Sequence, residues 1–295
     1  MLRFAGLLTS CQFTPMTHLT HPCRLCGNTA EFVVRQTVLR KYEVAYFRCP
    51  NCDLLQTEKP YWLAEAYDDR VAILDTGAVD RNLLCADLVQ VIAWLAGVGP
   101  GDRCLDVGGG SGLLVRMMRD RGFDFRWADK FAANLYARGF EGAPAERQEL
   151  VTAFEVFEHF DDVNGEVEGL FAPGHRFVLA STFLHRGHRE NWWYYVPEVG
   201  QHVAFYSRET MAYVGRRFGY DAVCGPAFTL FAKAGALGAR RRQTIGRILA
   251  EHRYREAQSP WVGRLLRRCP KYPSRTGPDQ DLLRGRGGPG NLGGI

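Results

Sequence analysis

Three features of the 295-residue chain predict an α/β fold: a strand, glycine turn and helix at 103–121, short apolar runs alternating with helical patterns after it, and a four-cysteine module ahead of it. Arg103 to Val107 reads as a buried strand, and Leu113 to Arg121 has helical spacing. Glycines stand between them at 108, 110 and 112. Such a turn brings bare backbone N–H groups close to a ligand. The dinucleotide fingerprint G-x-G-x-x-G needs a glycine at 113, where Leu113 stands. The spacing present is Asp106-x-Gly108-x-Gly110-x-Gly112, with an acid two residues before the first glycine. A purely structural strand–helix turn is the alternative.

The cysteine module pairs Cys23-x2-Cys26 with Cys49-x2-Cys52. Each pair presents two thiolates from one tight turn, and two such knuckles complete a tetrahedral Zn2+ site. Gly27 and Pro50 favour the turns. A disulfide pair and redox-active thiols are the alternatives. Nine cysteines, no convincing secretory signal and no transmembrane run favour a reducing, cytoplasmic setting and therefore metal. Four protein thiolates leave no open coordination position, so this zinc is expected to hold structure. Met16 is a second candidate start of translation.

A composition of 46% hydrophobic and 23% charged residues gives room for one sizeable core and a small accessory module. Charge is unevenly placed. From Arg240 onward there are 13 basic residues against 4 acidic, whereas the whole chain carries 37 against 32. Four segments are expected: the zinc-ribbon module at 21–60, a helical connector at 61–98, the ligand-binding core at 99–234, and a basic, partly disordered segment at 235–295. In the connector, Leu84, Leu88, Val91, Ile92 and Leu95 fall on one helical face. In the last segment Ile245, Ile248 and Leu249 share a face, and 261–268 forms a second short amphipathic piece. Basic segments of this kind bind RNA or anionic membranes, or are simply solvated.

Within the core, Phe125 to Asp129 reads as the second strand, ending in a carboxylate placed to accept from two ribose hydroxyls. A helix is expected over 131–138. Residues 149–156 read as the next strand, ending in Glu155-Val156-Phe157-Glu158-His159, and 177–183 as a further one. A polar cluster at a strand's carboxyl end lies where open α/β sheets bind ligands.

Asp106 to Gly112, the acid at 129 and Phe154 to His159 resemble the bacterial class I S-adenosylmethionine-dependent methyltransferases that carry an N-terminal zinc ribbon. Trp192-Trp-Tyr-Tyr-Val-Pro-Glu198, Gly200-Gln-His202, Phe205-Tyr-Ser207 and Leu74 to Gly77 with Arg81-Asn82 are similar to that group as well. The resemblance implies a Rossmann-like, mainly parallel seven-stranded sheet flanked by helices, with S-adenosylmethionine as cofactor. Asp106, Gly108, Gly110, Gly112, Asp129 and Glu155 are the candidate cofactor contacts. His202, His159 and Glu198 are the candidate bases, needed where the nucleophile is a hydroxyl or a carbon acid. A small-molecule acceptor is expected, a sugar or glycan precursor foremost. An RNA methyltransferase and a non-catalytic binding scaffold are the alternatives. Four consecutive aromatics at 192–195 cannot all face inward on a strand, so at least one is expected to line a cleft.

Overall fold

The computed structural model describes residues 19–67, 76–187, 191–251 and 260–286. Leu74 and Asp75 of the similarity noted above, Cys11 and Met16, and the glycine-rich end beyond 286 lie outside them.

Two sheets organise these residues. The first is antiparallel: β1 (Thr20–Pro22), β2 (Thr29–Val38), β3 (Tyr42–Arg48) and β4 (Leu55–Thr57) form the cysteine module, which the short helix α1 (Leu63–Ala66) follows. β4 then pairs with β9 (Ala204–Phe205), which belongs to the core chain, through Leu55 opposite Phe205 and Gln56 opposite Ala204. The module is therefore stitched to the core by main-chain hydrogen bonds as well as by packing.

The second sheet contains β5 (Arg103–Val107), β6 (Asp124–Ala128), β7 (Leu150–Phe154), β8 (Phe177–Ser181), β10 (Tyr220–Cys224) and β11 (Phe228–Lys233), in the order β10-β11-β8-β7-β5-β6. The four strands from β8 to β6 are parallel, β11 runs antiparallel to β8, and β10 pairs antiparallel with β11. Their alternation sorts the core into two layers. Cys104, Leu150, Phe177, Leu179 and Leu230 face one cluster, with α2 (Ala78–Ala96) and α3 (Leu113–Asp120). Leu105, Val151, Val178, Ala180 and Phe231 face the other, with α4 (Val163–Phe171), α5 (Arg208–Phe218) and the cysteine knuckles.

The fold class is the one expected, but six strands are present among the described residues instead of seven. The seventh is reduced to a single parallel bridge between Trp127 and Glu141. Gly142 follows at once, so tightly placed that a Cβ would lie 2.6 Å from Leu105 Cδ1, and Pro144 then removes a ladder donor. The helix expected over 131–138 is also absent. The N–H groups of Leu135 and Tyr136 donate to the Ser111 carbonyl at 2.9 and 3.0 Å, and Ala137 N–H donates to Asn134 Oδ1. Donors that an α-helix would use internally thus brace the glycine turn.

Beyond β11 the chain forms α6 (Ala239–Glu251), α7 (Pro260–Leu266) and α8 (Thr276–Arg286). α6 buries Ile245, Ile248 and Leu249, and α7 buries Val262 against the α2 layer. α8 is tied in by charge. The buried Arg119 guanidinium donates to both carboxylate oxygens of Asp279 at 2.8 and 2.7 Å, and to Asp124 and the Phe125 carbonyl. Among the described residues no helix is long and apolar enough to cross a membrane.

Candidate active site

The carboxyl ends of β5, β6, β7 and β8 come together at one rim of the parallel sheet. The glycine turn after β5 takes its shape from positive φ angles of 67, 53 and 83° at Gly108, Gly110 and Gly112, a region that L side chains enter only at a cost. Gly108 N–H and Gly109 N–H both donate to the Ala128 carbonyl at the end of β6. Trp127 Nε1 donates to the Gly110 carbonyl at 2.9 Å, and Gly110 N–H donates to Asp129 Oδ2 at 2.9 Å. A Cβ at Gly108 would lie 2.5 Å from Val156 Cγ2, so the segment after β7 seals one side of the turn. A Cβ at Gly110 would meet nothing within 4 Å. The turn is open at 110 and closed at 108.

Two carboxylates stand beneath and beside it. Asp106 is buried and accepts from Thr152 Oγ1 at 2.6 Å; burial raises its carboxyl to about 7, against the lowering effect of that hydrogen bond. Asp129 accepts from Phe131 N–H and Ala132 N–H through Oδ1 and from Gly110 N–H through Oδ2. Three of about four acceptor positions on that carboxylate are thus committed. Room remains for one ligand hydroxyl, not the two expected from the sequence.

Glu155 opens the next segment with a φ of 52°, an uncommon conformation for a non-glycine residue and a reservoir of backbone strain. Its N–H donates to Ser181 Oγ, and Ser181 Oγ in turn donates to Glu155 Oε1 at 3.0 Å. A single 3-10 turn, Phe157–His159, follows. Glu158 is fully buried and accepts from Tyr194 Oη at 2.7 Å through Oε1. Burial raises its carboxyl to about 7.

His159 and His202, 43 positions apart in the chain, meet with ring centroids 5.1 Å apart. His159 Nδ1 is 3.2 Å from the Gln201 carbonyl, and His202 Nδ1 is 2.8 Å from the Tyr194 carbonyl. A carbonyl only accepts, so both rings carry their proton on Nδ1 and present Nε2 as a lone pair. Burial lowers His159 to about 4 and His202 to about 3. Tyr67 lies 6.3 Å from the His159 ring on one side and stacks at 6.1 Å on Phe131 on the other. Phe131, 90% exposed, is two residues beyond Asp129. An aromatic wall therefore runs from the glycine turn to the histidine pair. Glu198, the third candidate base, is exposed and is not part of this group.

The four aromatics lie on no strand. Trp193–Tyr195 form a 3-10 turn, with Tyr194 and Tyr195 buried and Trp193 64% exposed. Tyr67, Thr152 and Ser181 carry no signal of this role in the sequence, because each belongs to the site only through contacts with distant segments, and Tyr194 is marked there only as one of the aromatic run at 192–195.

The cysteine module holds the other end of the His202 loop. Arg24, inside the first knuckle, donates to the Val203 carbonyl, which Thr57 N–H also reaches at 3.0 Å. Val203 N–H donates to the Glu158 carbonyl at 2.8 Å. The knuckle sulfurs are thiols, not disulfides: Cys23 Sγ is 3.5 Å from Cys52 Sγ, and Cys26 Sγ is 3.5 Å from Cys49 Sγ. All four converge within 4.8 Å. Zn–S bonds of about 2.3 Å in a tetrahedron put sulfurs about 3.8 Å apart, so the set fits Zn2+.

Residues 78–224 match the family model of a methyltransferase domain. No curated protein matches the chain. Similar solved structures include magnesium protoporphyrin IX methyltransferase from Synechocystis, 13% identical, covering 59% of this chain and 97% of that one with a TM-score of 0.42. The 1,6-didemethyltoxoflavin-N1-methyltransferase of Burkholderia thailandensis is 14% identical, covering 68% and 97% with a TM-score of 0.41. An O-methyltransferase of neocarzinostatin biosynthesis is 12% identical with a TM-score of 0.42; the match covers 58% of this chain and 61% of that one. The parallel sheet, the glycine turn at the end of its central strand and the family match together make this chain a class I S-adenosylmethionine-dependent methyltransferase, with residues 78–224 as its methyltransferase domain.

Proposed function

We propose that the enzyme methylates a hydroxyl of a small molecule, with a sugar or glycan precursor as the acceptor class, and that its cysteine module holds a structural zinc ion. One observation carries this reading. Val156 packs on Gly108 of the turn, and three residues later His159 meets His202, so the cofactor turn and two imidazole lone pairs share one rim.

S-adenosylmethionine supplies a methyl group already activated on a sulfonium. What the chain adds is alignment, which accounts for much of the acceleration in reactions of this kind. The open face at Gly110 takes the cofactor against backbone, Asp129 takes a ribose hydroxyl, and Asp106 and Glu155 hold the turn and the segment facing it. The acceptor lies against Tyr67 and Phe131, whose exposed faces suit the apolar face of a pyranose. Nε2 of His202 would accept the proton of the acceptor hydroxyl, and His159 would orient the same hydroxyl. The zinc module keeps His202 in place through the Arg24 and Thr57 contacts with Val203.

Calorimetric titration of the zinc-loaded protein with S-adenosylmethionine, and separately with NADH, tests the cofactor. Binding of the first alone is expected. Methyl-transfer assays with nucleotide sugars and with RNA then test the acceptor. Turnover on RNA alone overturns the small-molecule assignment. Failure of folded protein to bind the cofactor or to methylate either class favours a scaffold.

A further inference from the structure

One carboxylate oxygen of Glu158 and one ring nitrogen each of His159 and His202 lie within 4.8 Å of one another. Glu158 spends Oε1 on the Tyr194 hydroxyl, while Oε2 is buried and has no hydrogen-bond partner. A buried carboxylate oxygen left bare costs free energy, and native proteins give such groups a partner. His159 and His202 spend their protons on the Gln201 and Tyr194 carbonyls, which leaves Nε2 of each as an acceptor. One ligand atom from each of Glu158, His159 and His202 lies within 4.8 Å of the others. We propose that Glu158, His159 and His202 form a binding site for a divalent transition-metal ion, whose remaining coordination positions take the acceptor's hydroxyl oxygen.

Ligand chemistry supports this assignment. Two imidazoles and one carboxylate are a donor set used by Zn2+, Mn2+, Fe2+ and Co2+, and three protein ligands leave positions open for a substrate. The surroundings are those of a metal site. Metal-bound histidines ordinarily donate their other ring N–H to a carbonyl or carboxylate, which fixes tautomer and orientation, and both rings do so here. Tyr194 serves twice: its hydroxyl holds the Glu158 carboxylate and its carbonyl holds His202. Ligands at about 2.1 Å around one ion lie roughly 3–3.5 Å apart, so the group closes slightly on binding. The 3-10 turn carrying Glu158 and His159 and the loop carrying His202 are the parts that move. The inference rests on the methyl-transfer reading for its role only. There the ion would replace His202 Nε2 as the group that activates the acceptor hydroxyl, lowering its pKa so that its proton is lost to water.

The test is Mn2+ titration of the zinc-loaded, full-length protein, followed by electron paramagnetic resonance of free Mn2+. Mn2+ is a hard ion that prefers O and N donors to the thiolates of the cysteine module. One bound Mn2+ per chain is expected. Tyr194→Phe, a positioning variant that removes the hydroxyl shared by Glu158 and Thr182, is expected to weaken binding about 10- to 100-fold. His159→Ala is expected to abolish it. Zinc content and S-adenosylmethionine binding, read on the same samples, show that each variant is folded. No Mn2+ or Co2+ binding by protein that binds the cofactor overturns the metal site and leaves direct proton transfer to His202. Binding that survives His159→Ala overturns it as well. Mn2+ binding without cofactor binding sinks the methyl-transfer reading and keeps the site.

Discussion

Gly110→Ala separates the cofactor turn's structural duty from its binding duty. Gly110 has φ 53°, and a Cβ there would meet no protein atom within 4 Å. The folded chain therefore bears only the left-handed backbone penalty, about 1–2 kcal/mol. For a chain of this length that is a fall in Tm of roughly 2–3 °C. The added methyl group projects into the space assigned to the cofactor, and a hundredfold weaker Kd, about 2.7 kcal/mol, is expected. Gly108→Ala is the contrast. Its φ is 67° and its Cβ would come 2.5 Å from Val156 Cγ2, so Val156 must retreat by about 1 Å from normal contact. Overpacking of this kind adds roughly 1–3 kcal/mol to the backbone penalty, and Gly108→Ala should melt well below Gly110→Ala. Differential scanning calorimetry and cofactor titration on both variants supply the four numbers. Cofactor affinity of Gly110→Ala within threefold of the parent would falsify the assignment of this turn.

Other expectations concern the scaffold. Cys49→Ser should lose zinc and, by releasing the contacts that Arg24 and Thr57 make with Val203, depress turnover more than cofactor affinity; a full zinc complement in the variant removes Cys49 from the site. Asp279→Ala strips the bidentate partner from the buried Arg119 while Asp124 remains, so the loss should be near the lower end for a broken buried pair, about 3 kcal/mol. Asp281→Ala, on an exposed pair with Arg284, should change stability by less than about 0.5 kcal/mol; equal Tm values for the two variants would refute the buried tie. Burial lowers His175 to about 4 while its Nδ1 accepts from Gln148 N–H. Its folded pKa lies below the unfolded value of about 6.5, so its contribution is complete above pH 6.5 and lost as pH falls toward 4, at up to about 1.4 kcal/mol per unit. Urea denaturation from pH 7 to pH 4 should show a shallower acid decline for His175→Asn, and parallel profiles would exclude His175 as a source of the slope.

Short-range spacing made two features of this enzyme legible from sequence alone. The glycine turn depends on a strand, three glycines and a helix start in consecutive order, and the thiolate cluster on two C-x2-C turns. Both patterns state geometry within a few residues, where chain connectivity limits the outcomes. The amphipathic face of α6 was readable for the same reason, because Ile245, Ile248 and Leu249 lie within one turn and a half of helix. Sheet order and packing decided everything that joins distant residues. Asp129 was recognisable as the acid ending β6, but its commitment to Gly110, Phe131 and Ala132 N–H emerged only when the segment after it failed to form a helix. His159 and His202 were each visible as candidates. Their meeting, with both Nδ1 atoms facing carbonyls, required β9 to be pinned to the cysteine module by β4. Tyr67 carries no local signature at all, the run at 192–195 does not show which of its rings turns to Glu158, and Asp279 pairs with Arg119 across 160 residues. A sequence constrains neighbours through covalent geometry. Partners so far apart are selected by the free energy of burying the whole fold.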